Sequence, residues 1–529
     1  MTLNPITQKN ILFTVFFLPL LFVIALFTSC DSDESNSPDS DTTLNDSEGV
    51  FPLPSGYFIP AKMPMHVVYP RPDSETQTHA RHRWMHSKMT YEIPIGVQGG
   101  AWPFKYEIIT APDGASIGQL YGSQDYGVLK IQTIASGSHN IAIRVTDQEM
   151  NTVDISWTAT VDDSKFTFIQ EGYTGTKVGT IDQPLGTWND WYKNDADDAS
   201  YANQILVFRG GNYTLTGDTS QNGNVEINSG TKTPSIIAYP DEIPIIDCNT
   251  AKIFTRNGTS ANDIFISGIL WKNARPDLAN SHFFWTTAET NRITFWNNTF
   301  DTIEPGTTGN DNPSCVFIPG TSNKQYVLYK HNTHKNINTG GANGSYIDIY
   351  KASYVLVEEN TATDSDNGYG LWMKGTIAYV SVRANDINSD GGITVGYGIA
   401  AGTTPPHDHE ICWNRVIQNS TNRNTLLFAG SNFYIGKTFN SFIYRNTFVN
   451  NATWVRFRGN EDFEVYGNVV VMNANSLSKW DTSIMDENIE GNLTATTDSN
   501  EITDSEGLLI DASKTEYLGK RGFEVFDPR

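Results

Sequence analysis

The chain has few basic residues for its length of 529 residues. It carries 36 lysine and arginine residues against 59 aspartate and glutamate residues, and its net charge is −23 at pH 7. Charged residues make up only 18% of the chain, so the imbalance reflects a shortage of bases. This composition argues against a nucleic-acid partner, because phosphate binding needs a basic surface. It still allows an anionic substrate in a local basic groove.

Cysteine is also scarce, with four residues in the whole chain. Beyond Cys30, the remaining three are Cys248, Cys315 and Cys412, an odd number at wide spacing. Neither a disulfide framework nor a zinc site has this pattern. We expect buried thiols and no resident metal or cofactor, apart from a calcium alternative given below.

Only one long apolar run is present, at residues 11–27, and Thr14 and Pro19 interrupt it. It is short for a membrane-spanning helix and is typical of a secretory signal. The ending LFTSC at residues 26–30 resembles a bacterial lipobox, with Phe27 where leucine is usual. The resemblance implies lipidation of Cys30 and an outer-membrane lipoprotein of a Gram-negative bacterium. The alternative is an ordinary signal peptide with an incidental cysteine.

An acidic stretch without lysine or arginine follows Cys30, at residues 31–48. Like charges among Ser, Asn and Thr predict a disordered tether. The stretch resembles the export signal of surface-displayed lipoproteins, which implies a cell-surface location. The predicted domains are a signal peptide (1–30), a tether (31–59), a β-sandwich (60–163) and a catalytic solenoid (164–529).

One short sequence motif recurs eight times, and it consists of an alternating apolar run that ends on Gly or Asn. The anchors are Gly268, Asn298, Asn332, Asn360, Asn385, Asn414, Asn446 and Asn468. The spacing between neighbouring anchors, together with the strand-like alternation inside each motif, is typical of a solenoid with one coil per repeat. Three short strands fit in each coil, so we predict an all-β right-handed parallel β-helix. Stacked Asn side chains would then hydrogen-bond along the solenoid.

Residues 60–163 contain alternating runs separated by turn residues, which predicts an antiparallel β-sandwich. The ending GSHNIAIRVTD at residues 137–147 resembles cadherin-like or immunoglobulin-like modules of bacterial surface enzymes. The basic segment at residues 79–88 contains three histidines at spacings that match no metal motif. A solvated strand edge, packing against the solenoid and binding of an anionic chain remain alternatives for it.

A different sequence pattern begins at Phe166. The segments FTFI (166–169), QPLGTW (183–188) and ILVFRGGNY (205–213) follow one another in the order seen at the start of pectate-lyase-like β-helix proteins, which the region 165–500 resembles. That resemblance implies a polysaccharide-degrading enzyme. It does not specify the reaction.

Each coil also has a strand upstream of its Asn anchor. Alternation places the first and third residues of these strands inside the solenoid and the second and fourth outside. The expected outward residues are Phe317, Asp348, Tyr350, Trp372, Lys374, Arg456 and Arg458, with Lys351 at a strand end. Aromatic faces, cations and a titratable group are what a polysaccharide groove needs. A randomly decorated sheet face is the alternative.

Two acidic turns, at residues 364–368 and 388–392, are expected one coil apart. Asp366 and Asp390 could then stack about 5 Å from each other and act as a carboxylate pair. Plain turn chemistry is the alternative for each residue. A calcium site at Asp364 and Asp366 is a third option. The loop at residues 405–410 offers adjacent His and carboxylate groups as a further acid/base candidate.

Two enzyme classes compete at this point. Lys351-Ala352-Ser353 resembles an element of chondroitinase-B and alginate lyases, but the next coil has Lys374 and Gly375 where the family has Arg-His. More loosely, the chain resembles surface-lipoprotein endo-fucanases and carrageenases. We expect an endo-acting glycoside hydrolase on an anionic, sulfated algal polysaccharide, with catalytic Asp348, Asp366, Asp390 and Lys374. A lyase and a non-catalytic glycan binder are the alternatives, and a monomer is expected.

Overall fold

The computed structural model describes the chain in segments, some of them by backbone alone. These are residues 61–120, 122–132, 135–188, 190, 204–215, 225–226, 235–248, 253–254, 262–274, 282–286, 291–303, 314–318, 324–338, 345–397, 406–418, 424–429, 438–444, 446–450, 454–458, 460–466, 469–472, 489–490, 493–496, 502–503 and 509–510. The signal peptide, the tether, Cys30 and Asn468 lie outside them.

The predicted parallel β-helix is confirmed. The strands stack into three parallel ladders of a right-handed solenoid, and one ladder has 12 strands. We call this one ladder A. Its strands are Phe166–Ile169, Ile205–Phe208, Ser235–Ala238, Ile264–Ser267, Ile293–Trp296, Lys324–Lys330, Ala352–Glu358, Ala378–Arg383, His407–Cys412, Thr438–Tyr444, Asn460–Tyr466 and Ile489–Glu490.

The other two ladders merge where Thr361–Lys374 and Asp386–Tyr397 run through both. Ladder B otherwise comprises Gly211–Thr214, Pro244–Asp247, Leu270–Ala274, Thr299–Ile303, Thr333–Asn338, Arg415–Gln418, Thr447–Asn450, Val469–Met472 and Leu493–Thr496. Ladder C otherwise comprises Val225–Glu226, Ile253–Phe254, His282–Trp285, Ser314–Ile318, Ser345–Tyr350, Asn424–Ala429 and Trp454–Arg458. Ile502–Thr503 and Leu509–Ile510 form a separate antiparallel pair.

The Asn column forms as the sequence predicts. In each coil the Asn backbone N–H donates to the side-chain oxygen of the next Asn, at 2.8–3.0 Å in the described pairs. The side-chain amide donates to the same oxygen and to a carbonyl of the preceding coil, as Asn385 does to Val357. These side chains are buried, so the column satisfies polar groups that would otherwise be costly.

The assignment of Gly268 to this column is wrong by one residue. Backbone pairing aligns Ser267 with Trp296, so Gly268 matches Asn297 and Ile269 matches Asn298. Gly268 and Asn297 both have positive φ, 76° and 54°. Gly and Asn tolerate this left-handed conformation, so both residue types occur at the turn. The described Asn column therefore begins at Asn298.

The N-terminal region contains three small sheets. Trp84–Met85, Thr152–Val161, Ser138–Thr146 and Lys105–Thr110 form one, Tyr91–Pro94, Val128–Ile131 and Ala115–Ile117 another, and His66–Tyr69 pairs with Gly96–Gln98. Two 3-10 helices, Arg81–Arg83 and Asp163–Lys165, flank the four-stranded sheet. The immunoglobulin- or cadherin-like topology of this region stays a prediction, as do the domain boundaries.

The N-terminal region shares a hydrophobic core with the outer face of ladder A. Trp102 lies 6.1 Å from Trp413 between ring centroids, and Tyr69 packs on Phe265 at 5.6 Å. In the basic segment, His79 bonds to the Asn262 carbonyl oxygen at 3.0 Å, and Arg81, His82 and other members are buried. Of the three alternatives, packing against the solenoid is the one observed.

A buried ionic network joins the two regions. Glu358 bonds both to Lys330 and to Arg383 in neighbouring coils, at 2.6 Å each. The Arg383 guanidinium also donates to the backbone carbonyl oxygens of Val97 and Gly99. Breaking such a network would leave a buried charge without compensation, so removal of one partner should be strongly destabilising.

Candidate functional site

The in-and-out alternation of ladder C is confirmed in the coils whose side chains are described. Val316, Ile347, Leu371 and their partners two residues later lie in the solenoid core. The row of residues in register with Asp348 runs through consecutive coils, and backbone pairing fixes its members. They are Trp285, Phe317, Asp348, Trp372, Thr394, Leu427 and Arg456.

Two members of this row are less accessible than the sequence suggests. Asp348 is 0% exposed and Trp372 is 2% exposed, whereas Phe317 is half-buried. The alternation places a side chain on the outer face, but it does not determine what covers that face. Asp348 and Trp372 therefore form the floor of the surface rather than an exposed ladder. Trp372 is therefore not an exposed ring on which a sugar could stack, contrary to the expectation from the sequence.

Burial changes the acid–base properties of Asp348. The pKa of its carboxyl group is raised well above the usual value, chiefly because burial disfavours the charged form. The Lys374 ammonium and the Tyr350 hydroxyl oppose this shift. Asp348 is thus protonated at a pH where an ordinary Asp is charged.

Tyr350 and Lys374 form the accessible end of this cluster. They pair in register, and the Lys374 ammonium donates to the Tyr350 hydroxyl at 3.2 Å. The ammonium also lies 5.0 Å from the Tyr350 ring centroid and 5.7 Å from that of Trp372. Burial lowers the pKa of Lys374, and the nearby Asp348 opposes that shift. The half-buried amine and phenol can hold an anion or move a proton.

Aromatic contacts brace the cluster. Phe317 meets Tyr350 edge-on at 5.2 Å, and the His282 ring stacks on Phe317 at 4.6 Å. Tyr369 meets Trp372 at 4.4 Å. Such contacts hold the rings in fixed orientations.

The segments with Asp366 and Asp390 lie within the continuous strands Thr361–Lys374 and Asp386–Tyr397, which pass through the corner between ladders B and C. Ser365 pairs with Ser389, with irregular register on both sides, so the two aspartates follow equivalent positions in neighbouring coils. Asp390 is half-buried. The side chains of Asp364 and Asp366 lie outside the described residues, so the calcium and carboxylate-pair predictions stay predictions.

The register separates Asp348 from the other two aspartates. Asp348 pairs with Trp372, which is six residues beyond Asp366 on the same strand. The strand turns from ladder B to ladder C between Asp366 and Trp372, so this spacing fixes no distance between the carboxyl groups. A catalytic pair that includes Asp348 therefore stays a prediction.

The remaining predicted residues are spread around the coil. Lys351 is half-buried at the corner after ladder C. Arg456 and Arg458 follow three coils after Trp372, and their side chains lie outside the described residues. Three coils correspond to roughly 14 Å along the axis.

The predicted loop at residues 405–410 is largely a strand of ladder A, His407–Cys412. Burial lowers the pKa of His409 to about 4, and its ring bonds to Ser441 and to the Ile377 carbonyl oxygen. His407 and Asp408 form a partly exposed pair at 2.6 Å. The segment thus divides into a buried structural half and an accessible half.

Two features were missed at the sequence level. One is the ionic network, although Lys330, Glu358 and Arg383 each stand two residues before an Asn anchor and alternate in charge. The other is a column of tyrosines, Tyr326, Tyr354 and Tyr379, near the start of three consecutive ladder A strands. Aligning the coils on the Asn anchors would have revealed both.

Two classes of feature are absent from the part of the chain that the structure describes. No cluster of His, Cys, Asp and Glu there could hold a metal ion. No helix among these residues is long and apolar enough to cross a membrane.

No family model and no curated protein matches the chain. Among solved structures, it is similar to a "putative alpha-galactosidase" from Bacteroides fragilis NCTC 9343, with 9% identity and a TM-score of 0.18, over 43% of this chain and 59% of that one. A second, a "putative alpha-galactosidase/melibiase" from the same organism, has 10% identity and a TM-score of 0.15, over 36% and 55%. The matches thus span little more than half of those chains. Scores this low support no conclusion about fold or function.

Proposed function

We propose that the chain is an extracellular polysaccharide-cleaving enzyme that binds an anionic glycan across ladder C. The observation that carries the proposal is the cluster of Asp348, Tyr350 and Lys374 beside Trp372. A buried acid, a phenol, an amine and aromatic rings converge on one outer face of a rigid solenoid. Perturbed pKa values concentrated in such a cluster are typical of functional sites.

The proposed glycan follows the strand Thr361–Lys374 across the face. Asp366 and Asp390 lie near one end of this path and Lys374 at the other. This path crosses the corner between ladders B and C, so it covers parts of two faces. Such a path along the surface, rather than a closed pocket, would suit an endo-acting enzyme, with the ammonium groups holding sulfate or carboxylate groups.

Hydrolysis is the reaction proposed first. It requires two carboxyl groups, and Asp366 with Asp390 is the pair that the register supports. One would act as general acid and the other as base or nucleophile. A fucan- or carrageenan-like sulfated polysaccharide is the proposed substrate.

Elimination is the second candidate, and the Lys374–Tyr350 contact favours it. A lyase needs a cation near the uronate carboxylate and a base for the adjacent carbon-bound proton. An amine with a lowered pKa that touches a phenol can supply such a base. Because Asp348 is buried, it would not contact the substrate and would influence the reaction only through Tyr350.

Product masses separate the two reactions on a panel of fucan, carrageenan, alginate and pectin. Hydrolysis adds one water per cleavage, whereas elimination leaves an unsaturated end that absorbs ultraviolet light. Asp390→Asn should lower a hydrolytic rate on the order of 100-fold or more, and Lys374→Met should do so for elimination. Leu120→Ala is the control, since that side chain is 74% exposed in the N-terminal region. Absence of cleavage of every glycan would refute the proposed enzyme and favour the glycan binder.

A further inference from the structure

A column of tyrosines continues the surface of ladder C around the corner into ladder A. Tyr326, Tyr354 and Tyr379 occupy equivalent positions in three consecutive coils. Neighbouring rings are nearly parallel, at 16° and 7°, with centroids 5.2 and 4.9 Å apart. The corner residues thus form one continuous aromatic stack.

The backbone of this column is strained. The three tyrosines have φ values of 63°, 60° and 53°, a left-handed conformation that a bulky residue rarely adopts. Asp263, Arg292, Asp408 and Asn440 take the same conformation at the equivalent position of other coils, so the left-handed turn recurs along the solenoid. A short polar residue tolerates this conformation better than tyrosine does.

Part of the column has a structural role. His66 of the N-terminal region stacks on Tyr354 at 4.3 Å, and the Arg71 guanidinium lies 4.1 Å from the Tyr326 ring centroid. Tyr379 differs from these two, because it is 37% exposed. Docking of the N-terminal region explains Tyr326 and Tyr354 and leaves the exposure of Tyr379 unexplained.

The corner connects Tyr379 to the proposed site. Lys374 is five residues before Tyr379, and Gly375 lies between them. A Cβ on Gly375 would lie 3.1 Å from the Lys351 side chain, so the stem of Lys351 crosses the corner there. On the far side, Asp408 occupies the next position in the column and accepts a hydrogen bond from Asn440. Cations therefore precede the tyrosine and hydrogen-bonding groups follow it.

We propose that Tyr379 and Asp408 form an outer subsite for an uncharged or weakly charged sugar ring of the same glycan, a few residues from the cleavage point. One face of the Tyr379 ring stacks on Tyr354 and the ring also meets His407, so its exposed edge is the part that packs against the sugar C–H groups. The Asp408 carboxylate, which already bonds to His407 and Asn440, accepts in addition from sugar hydroxyl groups. Sulfate or carboxylate groups of the glycan remain at Lys351 and Lys374, away from Asp408. The subsite rests on the proposed function, since it extends the same path.

The test compares Tyr379→Ala, Tyr379→Phe and the control Leu120→Ala on long polysaccharide and on the shortest oligosaccharide that is cleaved. Tyr379→Ala should raise KM for the polymer on the order of fivefold, the equivalent of about 1 kcal/mol, with kcat unchanged. The oligosaccharide should show no change, and Tyr379→Phe should behave as the wild type. An equal effect on both substrates, or none, would overturn the subsite while the remaining activity preserves the proposed enzyme.

Binding provides a readout that does not depend on cleavage. In affinity gels cast with each polysaccharide, the wild type should migrate more slowly than Tyr379→Ala, with Tyr379→Phe unchanged. Equal retardation would overturn the subsite even if no glycan is cleaved. Absence of retardation by any glycan, together with absence of cleavage, would refute both the subsite and the proposed function.

Discussion

Replacing Asn385 with alanine tests the column that holds the coils together. Its side-chain amide donates to the carbonyl oxygens of Val357 and Arg383 at 3.0 Å each and to the Asn414 side chain at 2.9 Å. Its side-chain oxygen accepts from the backbone and side-chain N–H groups of Asn360, at 3.0 and 2.8 Å. One side chain thus joins three consecutive coils.

The cost of truncation follows from which groups lose a partner. The Asn360 side-chain amide retains its bond to the Tyr329 carbonyl oxygen, and the Asn414 oxygen retains the Asn385 backbone N–H. The Asn360 backbone N–H and the Val357 carbonyl oxygen lose their bonds to the side chain inside the protein. At about 1–3 kcal/mol for each buried group, the free energy of unfolding should fall by about 2–6 kcal/mol.

The loss of stability should depend on where the Asn residue lies in the column. Asn298 begins the described column, and its side-chain oxygen meets Ile269 and Trp271 donors at 3.4 Å each, so Asn298→Ala should cost less than Asn385→Ala. Asn140 is exposed on a strand of the N-terminal region, so Asn140→Ala should change stability by less than about 0.5 kcal/mol. Urea denaturation followed by tryptophan fluorescence and circular dichroism would measure all three. A loss below 1 kcal/mol for Asn385→Ala, or equal losses for the three variants, would refute the column as a source of stability.

Three further outcomes are expected. Trp372→Ala should lower the free energy of unfolding by about 3–5 kcal/mol in urea denaturation, because the ring is buried, and a loss as small as that of Leu120→Ala would contradict this. Asp348→Asn should be more stable than the wild type at pH 8, and the difference should shrink as the pH falls towards 4. The pKa of Asp348 is raised in the folded state, so the stability that its protonated form contributes is lost as the pH rises. A pH-independent difference would argue against burial of a titrating carboxyl group. Finally, Cys30→Ser should abolish incorporation of labelled palmitate in a bacterial host, and equal labelling of both proteins would refute lipidation of Cys30.

Local chemistry in the sequence predicted much of the fold. Alternation within each strand, together with the recurrent Asn, was enough to predict the coil, the inward residues such as Ile347 and Leu371, and the column from Asn298 onward. These features depend on residues close in sequence or on equivalent positions of adjacent coils. The error at Gly268 arose because glycine and asparagine share the left-handed conformation, so residue type alone did not fix the register.

The candidate site was less predictable for a physical reason. Whether Asp348 is exposed depends on what covers the outer face, and a repeat pattern contains no information about that cover. The separation of Asp348 from Asp366 required the register of Thr361–Lys374, which runs through a corner where the sequence suggested a turn. Long-range contacts such as those of Arg383 with Val97 and Gly99 join residues more than 280 positions apart.

The docked N-terminal region limits where a substrate can bind. Along ladder A, outward residues such as Phe265, Leu328 and Glu358 are almost completely buried, because the N-terminal region packs against them or the ionic network holds them. A polysaccharide cannot reach this face without undocking that region. On ladder C, Asp348 and Trp372 are buried as well, and the accessible groups are the half-buried Tyr350 and Lys374 at the ends of their strands. The N-terminal region thus covers one of three faces, and accessible polar side chains remain at the strand ends of ladder C and near Tyr379.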